Sequence, residues 1–248
     1  MPSFRSFIKA DRWPELQQHV SDQRKGVPAP PLEKPCPQDA ALLDLPHPDT
    51  LAVGQMPLAE AIKRRKSQRR YTAEPLSLEE LAFLLWASQG VRETGQHGQT
   101  PYVYRTVPSA GARHPFETYL VVNRVEGLDP GLYHYQSLAH RLCFLGADDR
   151  LVERAHEGCF GQYVKNSAVT FLWTAVPYRT EWRYSIVSPK LIALDAGHVC
   201  QNLYLACTAI GAGACAIAAY DQQMLDAVLD LDGDDEFVIY VATVGKVR

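Results

Sequence analysis

The clearest hydrophobic pattern in the chain lies between positions 77 and 90. Residues on one face recur at helical spacing, namely Leu78, Leu81, Ala82, Leu85 and Ser88. Ser77 and Glu80 have the spacing of a capping box at the start of this pattern, and Gly90 follows its end. The pattern predicts a helix that begins after Ser77, ends at Gly90 and packs on the core.

A second, longer helix is predicted from Pro189 to Ile210. This stretch is apolar nearly all round, and small residues such as Ala193, Gly197 and Ala206 interrupt it. One domain could bury such a helix alone, but in a chain of this length a subunit interface is the favoured reading. A shorter helix is predicted from Ala59 to Lys66.

Strands are predicted where β-branched and aromatic residues cluster, at FETYLVVNRV from Phe116, GLYHY from Gly131, RLCFL from Arg141, AVTFLWTAV from Ala168 and EFVIYVATV from Glu236. The second and third of these are expected to form a hairpin. The segment VRETGQHGQTPYVYR, residues 91–105, is polar and contains glycine. We expect it to be an exposed loop that lies over a pocket.

The first 56 residues differ from the regular pattern that follows. Asp11 to Arg24 could form one helix that stops at Gly26, and the stretch VPAPPLEKPCPQ after it has too many prolines for a helix or a central strand. We predict an N-terminal arm over 1–56 and one domain over 57–248. Whether the arm wraps a partner subunit or is a loosely held leader stays open.

Composition and charge exclude several classes of function. The chain has 248 residues, of which 46% are hydrophobic, and a formal charge of -3. We therefore expect a sizeable core and no general attraction to nucleic acid or to a membrane. The chain has no apolar run long enough to span a bilayer and no apolar signal region, so a cytoplasmic location is expected.

The six cysteines do not have the spacing of a zinc site. We interpret them as reduced thiols that mostly fill the core. No metal site is predicted.

Three local features could carry chemistry. Five of the seven residues from Arg64 to Arg70 are basic, which suits an anion site but also a solvated helix end. Pro108 to Gly111 form a loop of small residues that could approach a flat ligand. In the run from Gly211 to Ala219 no side chain can act as acid or base, so only its backbone could contribute.

In this order, the three features resemble the signatures of the nitroreductase family of flavoproteins across roughly Pro57 to Gly245. The family signature R-R-S-x-R-x-[F/Y] appears as RKSQRRY from Arg65 to Tyr71. The resemblance implies an α+β, nitroreductase-like fold with a mostly antiparallel central sheet flanked by helices. It also implies an intertwined homodimer with FMN at the subunit interface.

The resemblance assigns roles to individual residues. It implies that the ribityl phosphate is held by Arg65, Lys66, Ser67 and Arg69, with Lys246 or Arg248 assisting. The residues expected against the isoalloxazine ring, from the second subunit, are Pro108, Ser109, Ala110 and Gly111. The backbone at Ala218 and Ala219 is expected to face flavin N5.

More narrowly, several segments resemble the SagB-type dehydrogenases, which oxidise azolines to azoles in peptide natural products. They include PSAGARHPFETYLVV from Pro108 and the residues from Asp195 to His198. Those enzymes carry a Lys-Tyr pair where this chain has Arg183 and Tyr184. Arginine stays protonated and is a poor general base, so azoline oxidation itself is in question. Tyr184 is expected to donate a proton or orient the substrate, and Arg183 to contact an anion or carbonyl.

The predicted function is that of an FMN-dependent oxidoreductase that transfers hydride through flavin N5. Its substrate is expected to be either a peptide heterocycle or a small electrophile, and NAD(P)H is a candidate reductant. The alternative is a non-catalytic flavin-binding scaffold protein in a natural-product biosynthetic complex.

Overall fold

An antiparallel sheet forms the centre of the molecule in the computed structural model, which describes residues 4–98 and 100–248. The strands in chain order are β1 (Leu42–Asp44), β2 (Val91–His97), β3 (Thr100–Arg105), β4 (Phe116–Val122), β5 (Gly131–Gln136), β6 (Arg141–Gly146), β7 (Val169–Ala175), β8 (Ala212–Ile217) and β9 (Phe237–Lys246). The central sheet has the order β1-β6-β5-β4-β7-β9-β8, and β2 and β3 form a separate hairpin. Every residue of β4 and β7 is buried, including the polar residues Glu117 and Thr118 of β4 and Thr170 and Thr174 of β7.

Helices cover both faces of this sheet. They are α1 (Trp13–Gln18), α2 (Leu58–Arg64), α3 (Leu78–Gln89), α4 (Leu151–Gly158), α5 (Tyr178–Tyr184), α6 (Ser188–Ala209) and α7 (Gln222–Val228). One core cluster joins α3 and α6 to the sheet, and a second joins α4 and α7 to the other face. The predicted α+β architecture with a central antiparallel sheet is therefore confirmed.

The two helices with the clearest sequence patterns are confirmed nearly to the residue. The backbone N–H of Glu80 donates to Ser77 Oγ at 3.1 Å, and the Ser77 N–H donates to Glu80 Oε2 at 2.9 Å, which completes the capping box of α3. The long helix α6 differs from its prediction by one residue at each end. Within one chain it buries one side, while Leu194 on the other side is 52% exposed.

Two segments differ from their predictions. Residues 91–97 and 100–105 form the paired strands β2 and β3 rather than a loop, and the rings of His97 and Tyr102 stack across the pair at 4.4 Å. The run from Gly211 to Ala219, for which no strand was predicted, contains β8, which pairs with β9. β2 and β8 consist mainly of residues with weak strand propensity, and cross-strand pairing decides their conformation.

The N-terminal arm packs on its own chain, which differs from the expectation of a loosely held leader, and its contact with a partner subunit stays a prediction. Its helix α1 ends at Gln18, well before the predicted end. Further along, the Lys34 N–H donates to Glu117 Oε1 at 2.7 Å, and Trp182 Nε1 donates to the carbonyl of Val27 at 2.9 Å. The arm is thus fixed to the sheet and to α5. The domain boundary after residue 56 stays a proposal.

The expectation that all six cysteines are reduced is wrong for one pair. Cys36 of the arm and Cys143 of β6 form a disulfide with their Cα atoms 6.2 Å apart. Because 107 residues separate them in sequence, their spacing gave no sign of the pairing, which depends on how the arm crosses β6. The other four cysteines are free and buried, as predicted.

Candidate active site

The basic segment from Arg65 to Tyr71 lies along strand β8. The Gln68 N–H donates to the carbonyl of Ala214 at 2.8 Å, and the hydroxyl of Tyr71 donates to the carbonyl of Thr243 at 3.0 Å. This approach requires glycine at position 213, since a Cβ there would lie 2.5 Å from Gln68 Cβ. The segment therefore has a fixed backbone that presents its side chains at the edge of the sheet.

Most cations of this segment have no acidic partner. Arg64 forms an ion pair with Glu60, but within the described residues no carboxylate lies within ion-pair distance of Arg65, Lys66, Arg69 or Arg70. The guanidinium of Arg65 lies 5.3 Å from the centre of the Tyr204 ring. The segment is thus a concentration of positive charge that is available to an anion.

Of the two C-terminal cations, Lys246 is already engaged. Its ammonium forms an ion pair with Glu80 of α3, and both side chains are mostly buried. Arg248 is exposed and has no ion pair among the described residues. Arg248 is therefore the better placed of the two to meet an external anion.

Tyr204 of α6 joins the basic segment to β8. Its hydroxyl lies 3.0 Å from Ser67 Oγ and accepts a hydrogen bond from the Ala216 N–H at 2.8 Å. Ala218 and Ala219 follow the end of β8 and are exposed, and the Ala219 carbonyl accepts from Gln162 Nε2 at 2.8 Å. The predicted N5-facing backbone thus follows directly from the strand beside the basic segment.

Asp195 of α6 fixes the loop that begins at Pro108. Ser109 Oγ donates to Asp195 Oδ2 at 2.6 Å, and the Ala110 N–H donates to the same oxygen at 3.1 Å. Burial raises the pKa of the Asp195 carboxyl. Sequence reasoning had noted Asp195 as part of a motif but had given it no role, because the loop and the helix are far apart in sequence.

The structure brings Arg183 and Tyr184 to this same loop. Gly111 has a φ of +56°, and a Cβ there would lie 2.6 Å from the Tyr184 hydroxyl and 3.2 Å from Arg183 Nη1. A side chain at position 111 would therefore collide with the two residues predicted to act on the substrate. The close approach explains why glycine occupies this position.

A cavity of about 710 Å³ opens beside the loop. Its lining includes Pro108, Ser109, Gly111 and Arg183 from the predicted site and the hairpin residues Tyr102 and Tyr104. The hairpin therefore borders the cavity, as expected of this segment despite its different conformation. His114 also lines it, and burial together with the charges of Arg105 and Arg113 lowers its pKa to about 3, so its imidazole is neutral.

One buried residue of the cavity was missed by sequence reasoning. Arg113 is 4% exposed, donates from Nε to the carbonyl of Arg179 at 3.0 Å and lies over the ring of Trp182 at 4.8 Å. It follows the Pro108 loop directly in sequence, but nothing in its neighbours indicated that α5 would cover it.

Within one chain the two parts of the predicted site lie apart. Asp195 holds the Pro108 loop and Tyr204 holds the basic segment, and their separation of nine positions on α6 corresponds to about 14 Å along the helix. None of the cations from Arg65 to Arg70 lines the cavity. The phosphate-binding candidates and the ring-side candidates therefore do not form one pocket in a single chain.

A buried ionic network connects α5, which contributes Arg183 to the cavity, with strands β4 and β5. Glu117 of β4 accepts from Arg179 of α5 and lies 2.8 Å from His134 Nε2, with all three side chains almost completely buried. Burial alone would raise the pKa of Glu117, but the hydrogen bond with His134 and the charges of Arg179 and His134 lower it to about 2. The network holds α5, and hence Arg183 and Tyr184, against the sheet.

No helix among residues 4–98 and 100–248 is long and apolar enough to cross a membrane. In the same part of the chain, no group of three or more His, Cys, Asp and Glu side chains could hold a metal ion.

Known proteins resemble this chain in sequence. A protein of Methanocaldococcus jannaschii named as a nitroreductase is 29% identical over 204 residues, which cover 80% of this chain and 98% of that protein. Two trifolitoxin-processing proteins of Rhizobium leguminosarum bv. trifolii, TfxB and TfxF, are 28% and 43% identical over 63% and 50% of this chain. The matches cover only 44% and 40% of those two proteins.

Solved structures share the fold. A protein of Ralstonia eutropha JMP134 described as a nitroreductase has a TM-score of 0.66 and 26% identity, covering 89% of this chain and 99% of that one. A nitroreductase-type protein of Desulfovibrio desulfuricans in complex with FMN has a TM-score of 0.51 and 21% identity over 77% and 86% of the two chains. A chain of the Escherichia coli microcin synthetase complex McbBCD, with truncated pro-MccB17 bound, has a TM-score of 0.61 and 18% identity over 82% and 77%.

The family comparison covers most of the chain. Residues 62–246 match the model of the Nitroreductase family, and this range contains the basic segment, the Pro108 loop, Arg183, Tyr184 and β8. The chain therefore belongs to the Nitroreductase family.

Proposed function

We propose that this protein is an FMN-dependent oxidoreductase. The observation that carries the proposal is the set of unpaired cations at Arg65, Lys66 and Arg69, fixed beside β8 and followed by the exposed backbone at Ala218 and Ala219. Membership of the Nitroreductase family and the FMN complex of the Desulfovibrio relative support it.

The residues present fit the cofactor's phosphate. Guanidinium and ammonium groups beside the Ser67 hydroxyl form a donor set suited to a phosphate dianion. Glu60 and Glu80 do not compete for these cations, because Glu60 is paired with Arg64 and Glu80 with Lys246. We propose that Arg65, Lys66, Ser67 and Arg69 bind the phosphate and that Arg248 assists.

The separation of the two half-sites along α6 supports a homodimer. If the Pro108 loop of one chain meets the basic segment of another, the ring and the phosphate of one FMN would be bound by different subunits. The exposed side of α6, with Leu194, and the exposed Leu58 and Ile62 of α2 offer apolar surface for such an interface.

When bound, FMN would supply the site that accepts and donates hydride. The chain's own residues would bind and orient the reactants. The small residues from Pro108 to Gly111 leave room for a flat ring, and the Ala218 and Ala219 backbone would offer hydrogen bonds at its edge. Tyr184 would donate a proton to the substrate or orient it, and Arg183 would contact an anionic or carbonyl oxygen.

The substrate is proposed to be a peptide heterocycle, as in the SagB-type dehydrogenases. The trifolitoxin-processing relatives and the McbBCD chain, solved with a bound peptide, support this assignment. The arginine at position 183 argues for a reaction in which that residue binds rather than removes a proton. A small electrophile such as a quinone or nitroaromatic is the second candidate, favoured by the M. jannaschii relative.

NAD(P)H is the proposed reductant when the substrate is an electrophile. Both reactants would use the same cavity in turn, because Gly111 and Arg183 line it and the Tyr184 hydroxyl lies beside Gly111. Initial-rate plots at several fixed concentrations of the second substrate should then give parallel lines. Intersecting lines would show that both substrates bind together.

The visible absorption spectrum of the purified protein tests the proposal, combined with mass identification of any released chromophore. We expect the two absorption bands of an oxidised flavin and the mass of FMN. A colourless protein that does not take up added FMN would contradict the proposal. Bound FMN without turnover of any electrophile or heterocyclic peptide would instead favour the non-catalytic scaffold.

A further inference from the structure

The cavity beside the Pro108 loop carries positive charge that its lining does not balance. Four arginines line it, Arg92, Arg105, Arg113 and Arg183, and no Asp or Glu does. The other titratable lining groups are histidines and tyrosines. A cavity of one charge sign concentrates ligands of the opposite sign.

Arg105 is accounted for by the fold itself. Its Nη1 donates to the carbonyl of Gln89 at 2.7 Å and to Ser137 Oγ at 2.5 Å. Burial lowers its pKa, and the nearby charges of Glu117 and Glu33 oppose that effect. Arg105 is therefore a structural cation.

Arg113 and Arg183 lack the nearby carboxylates that offset the charge of Arg105, although Arg113 Nε donates to the carbonyl of Arg179. Within the described part of the chain, neither guanidinium has a carboxylate within ion-pair distance, and their only aromatic partners are Trp182 and Tyr184. The two groups also interact with each other, since burial and then the charge of Arg183 lower the pKa of Arg113. Arg113 is buried and Arg183 is exposed, so water screens only one of the two like charges, and an anion bound between them would offset the cost of the buried one.

Arg113 and Arg183 lie at the end of the cavity where the substrate is proposed to react. Arg183 Nη1 would lie 3.2 Å from a Cβ at Gly111, beside the Tyr184 hydroxyl, and Arg113 follows the same loop two residues later. An anion held by both guanidinium groups would thus sit next to the residue proposed to act on the substrate.

We propose that Arg113 and Arg183 together bind a carboxylate or phosphate group of the molecule that reacts in this cavity. The inference rests on the proposed function and names its substrate class, an oxyanion-bearing compound. The planar fork of arginine suits both oxyanions, and two arginines can surround one group.

Direct binding to the purified full chain, with its flavin content recorded, tests this inference. The probes are benzoate, phenyl phosphate and benzamide, which share one ring and differ in charge. Isothermal titration should give a Kd for at least one of the two anions about tenfold or more below that of benzamide, as expected for charge-assisted hydrogen bonds. Comparing benzoate with phenyl phosphate shows whether carboxylate or phosphate is the preferred group.

Substitutions of the two arginines test whether these residues bind the anion. Arg183→Gln, at an exposed residue, should raise the Kd of the preferred anion about tenfold and leave that of benzamide within about twofold. Arg113→Gln should also raise the Kd of the preferred anion. Arg113 is buried, so this variant could fail to fold, and the Arg183 variant then decides the test alone. Arg150→Gln, at the start of α4 and outside the cavity, is the matched control.

Two results would overturn the inference. One is equal affinity for benzamide and both anions. The other is anion binding that Arg183→Gln does not weaken, because the anion would then bind elsewhere. A protein without flavin that still prefers anions through Arg183 would contradict the proposed function and leave this site intact, so the two failures are distinguishable.

Discussion

The basic segment beside β8 and the cavity at the Pro108 loop present their charged groups through different kinds of structure. In the basic segment, the cations from Arg65 to Arg70 are adjacent in sequence and largely reach solvent. At the cavity, the side chains come from the loop, from the β2–β3 hairpin and from α5, and a buried carboxylate of α6 holds the loop in place. The first region can therefore be recognised along the chain, whereas the second exists only once the chain has folded.

This difference separates cofactor binding from substrate choice. A phosphate requires local charge, and a short segment provides it. A substrate requires binding groups at defined positions around a cavity. At this cavity, those positions depend on the ionic network of Glu117, Arg179 and His134, which holds α5 against the sheet. Each of the following predictions tests one side of the contrast, beginning with the largest expected effect.

Glu117→Gln tests whether the cavity depends on its buried support. The variant leaves Arg179 without its carboxylate partner, so the free energy of unfolding should fall by about 3–5 kcal/mol. Urea denaturation followed by tryptophan fluorescence measures this. Glu153→Gln, which breaks an exposed ion pair with Lys165, should cost less than about 1 kcal/mol.

The same network gives the protein a stability that depends on pH. The pKa of Glu117 lies near 2 in the folded state and at an ordinary value of 4.5 when unfolded. Its contribution is therefore complete above pH 4.5 and is lost as the pH falls toward 2. A Glu117→Gln protein that loses as much stability as the wild type over this range would contradict the assignment.

The double variant Arg65→Gln/Arg69→Gln tests the basic segment. Removing two charge-assisted contacts should raise the Kd of FMN about 100-fold, measured by quenching of flavin fluorescence. Arg64→Gln is the control, because Arg64 lies in the same run but is paired with Glu60. If the double variant and Arg64→Gln raised the Kd of FMN by equally small factors, the segment would be an ordinary solvated helix end.

Asp195→Asn tests how the Pro108 loop is held. The substitution weakens the hydrogen bonds from Ser109 and Ala110 at a buried site, and we expect a loss of about 2 kcal/mol in unfolding free energy. Asp148→Asn, at an exposed ion pair with Arg154, provides the comparison and should change little. An unchanged stability for Asp195→Asn would show that the loop is fixed by other contacts.

Tyr184→Phe tests the reactive end of the cavity. Loss of its hydroxyl should lower kcat for reduction of menadione or 4-nitrobenzoate by NADPH about tenfold, while FMN affinity stays the same. Tyr178→Phe on the same helix is the control, since its hydroxyl contacts Asp22 at 2.9 Å in the arm. Unchanged turnover would remove Tyr184 from the reaction.

Sequence patterns predicted the fold where local signals agree with tertiary packing. The capping box at Ser77 and the apolar run of α6 fixed their helices because their residues favour helix before any packing occurs. The hairpin of β2 and β3 was missed because its polar residues pair only across the turn. The Cys36–Cys143 disulfide was missed because it depends on where the arm crosses β6.

The same reason limited prediction of the site. The basic segment stood out because its charges cluster within a few residues, although no local pattern indicated that Lys246 would pair with Glu80. Asp195 and Arg113 received no role, because their partners are more than 60 residues away in the chain. Charge along a chain can be seen directly, whereas the balance of charge around a cavity requires its three-dimensional neighbours.

Titration of the flavin-free protein with FMN and with riboflavin tests the central claim most directly, because the two ligands differ only in the phosphate. The account predicts that FMN binds about 100-fold more tightly than riboflavin, through the cations from Arg65 to Arg69. Equal affinity for the two ligands, or no binding of either, would contradict it.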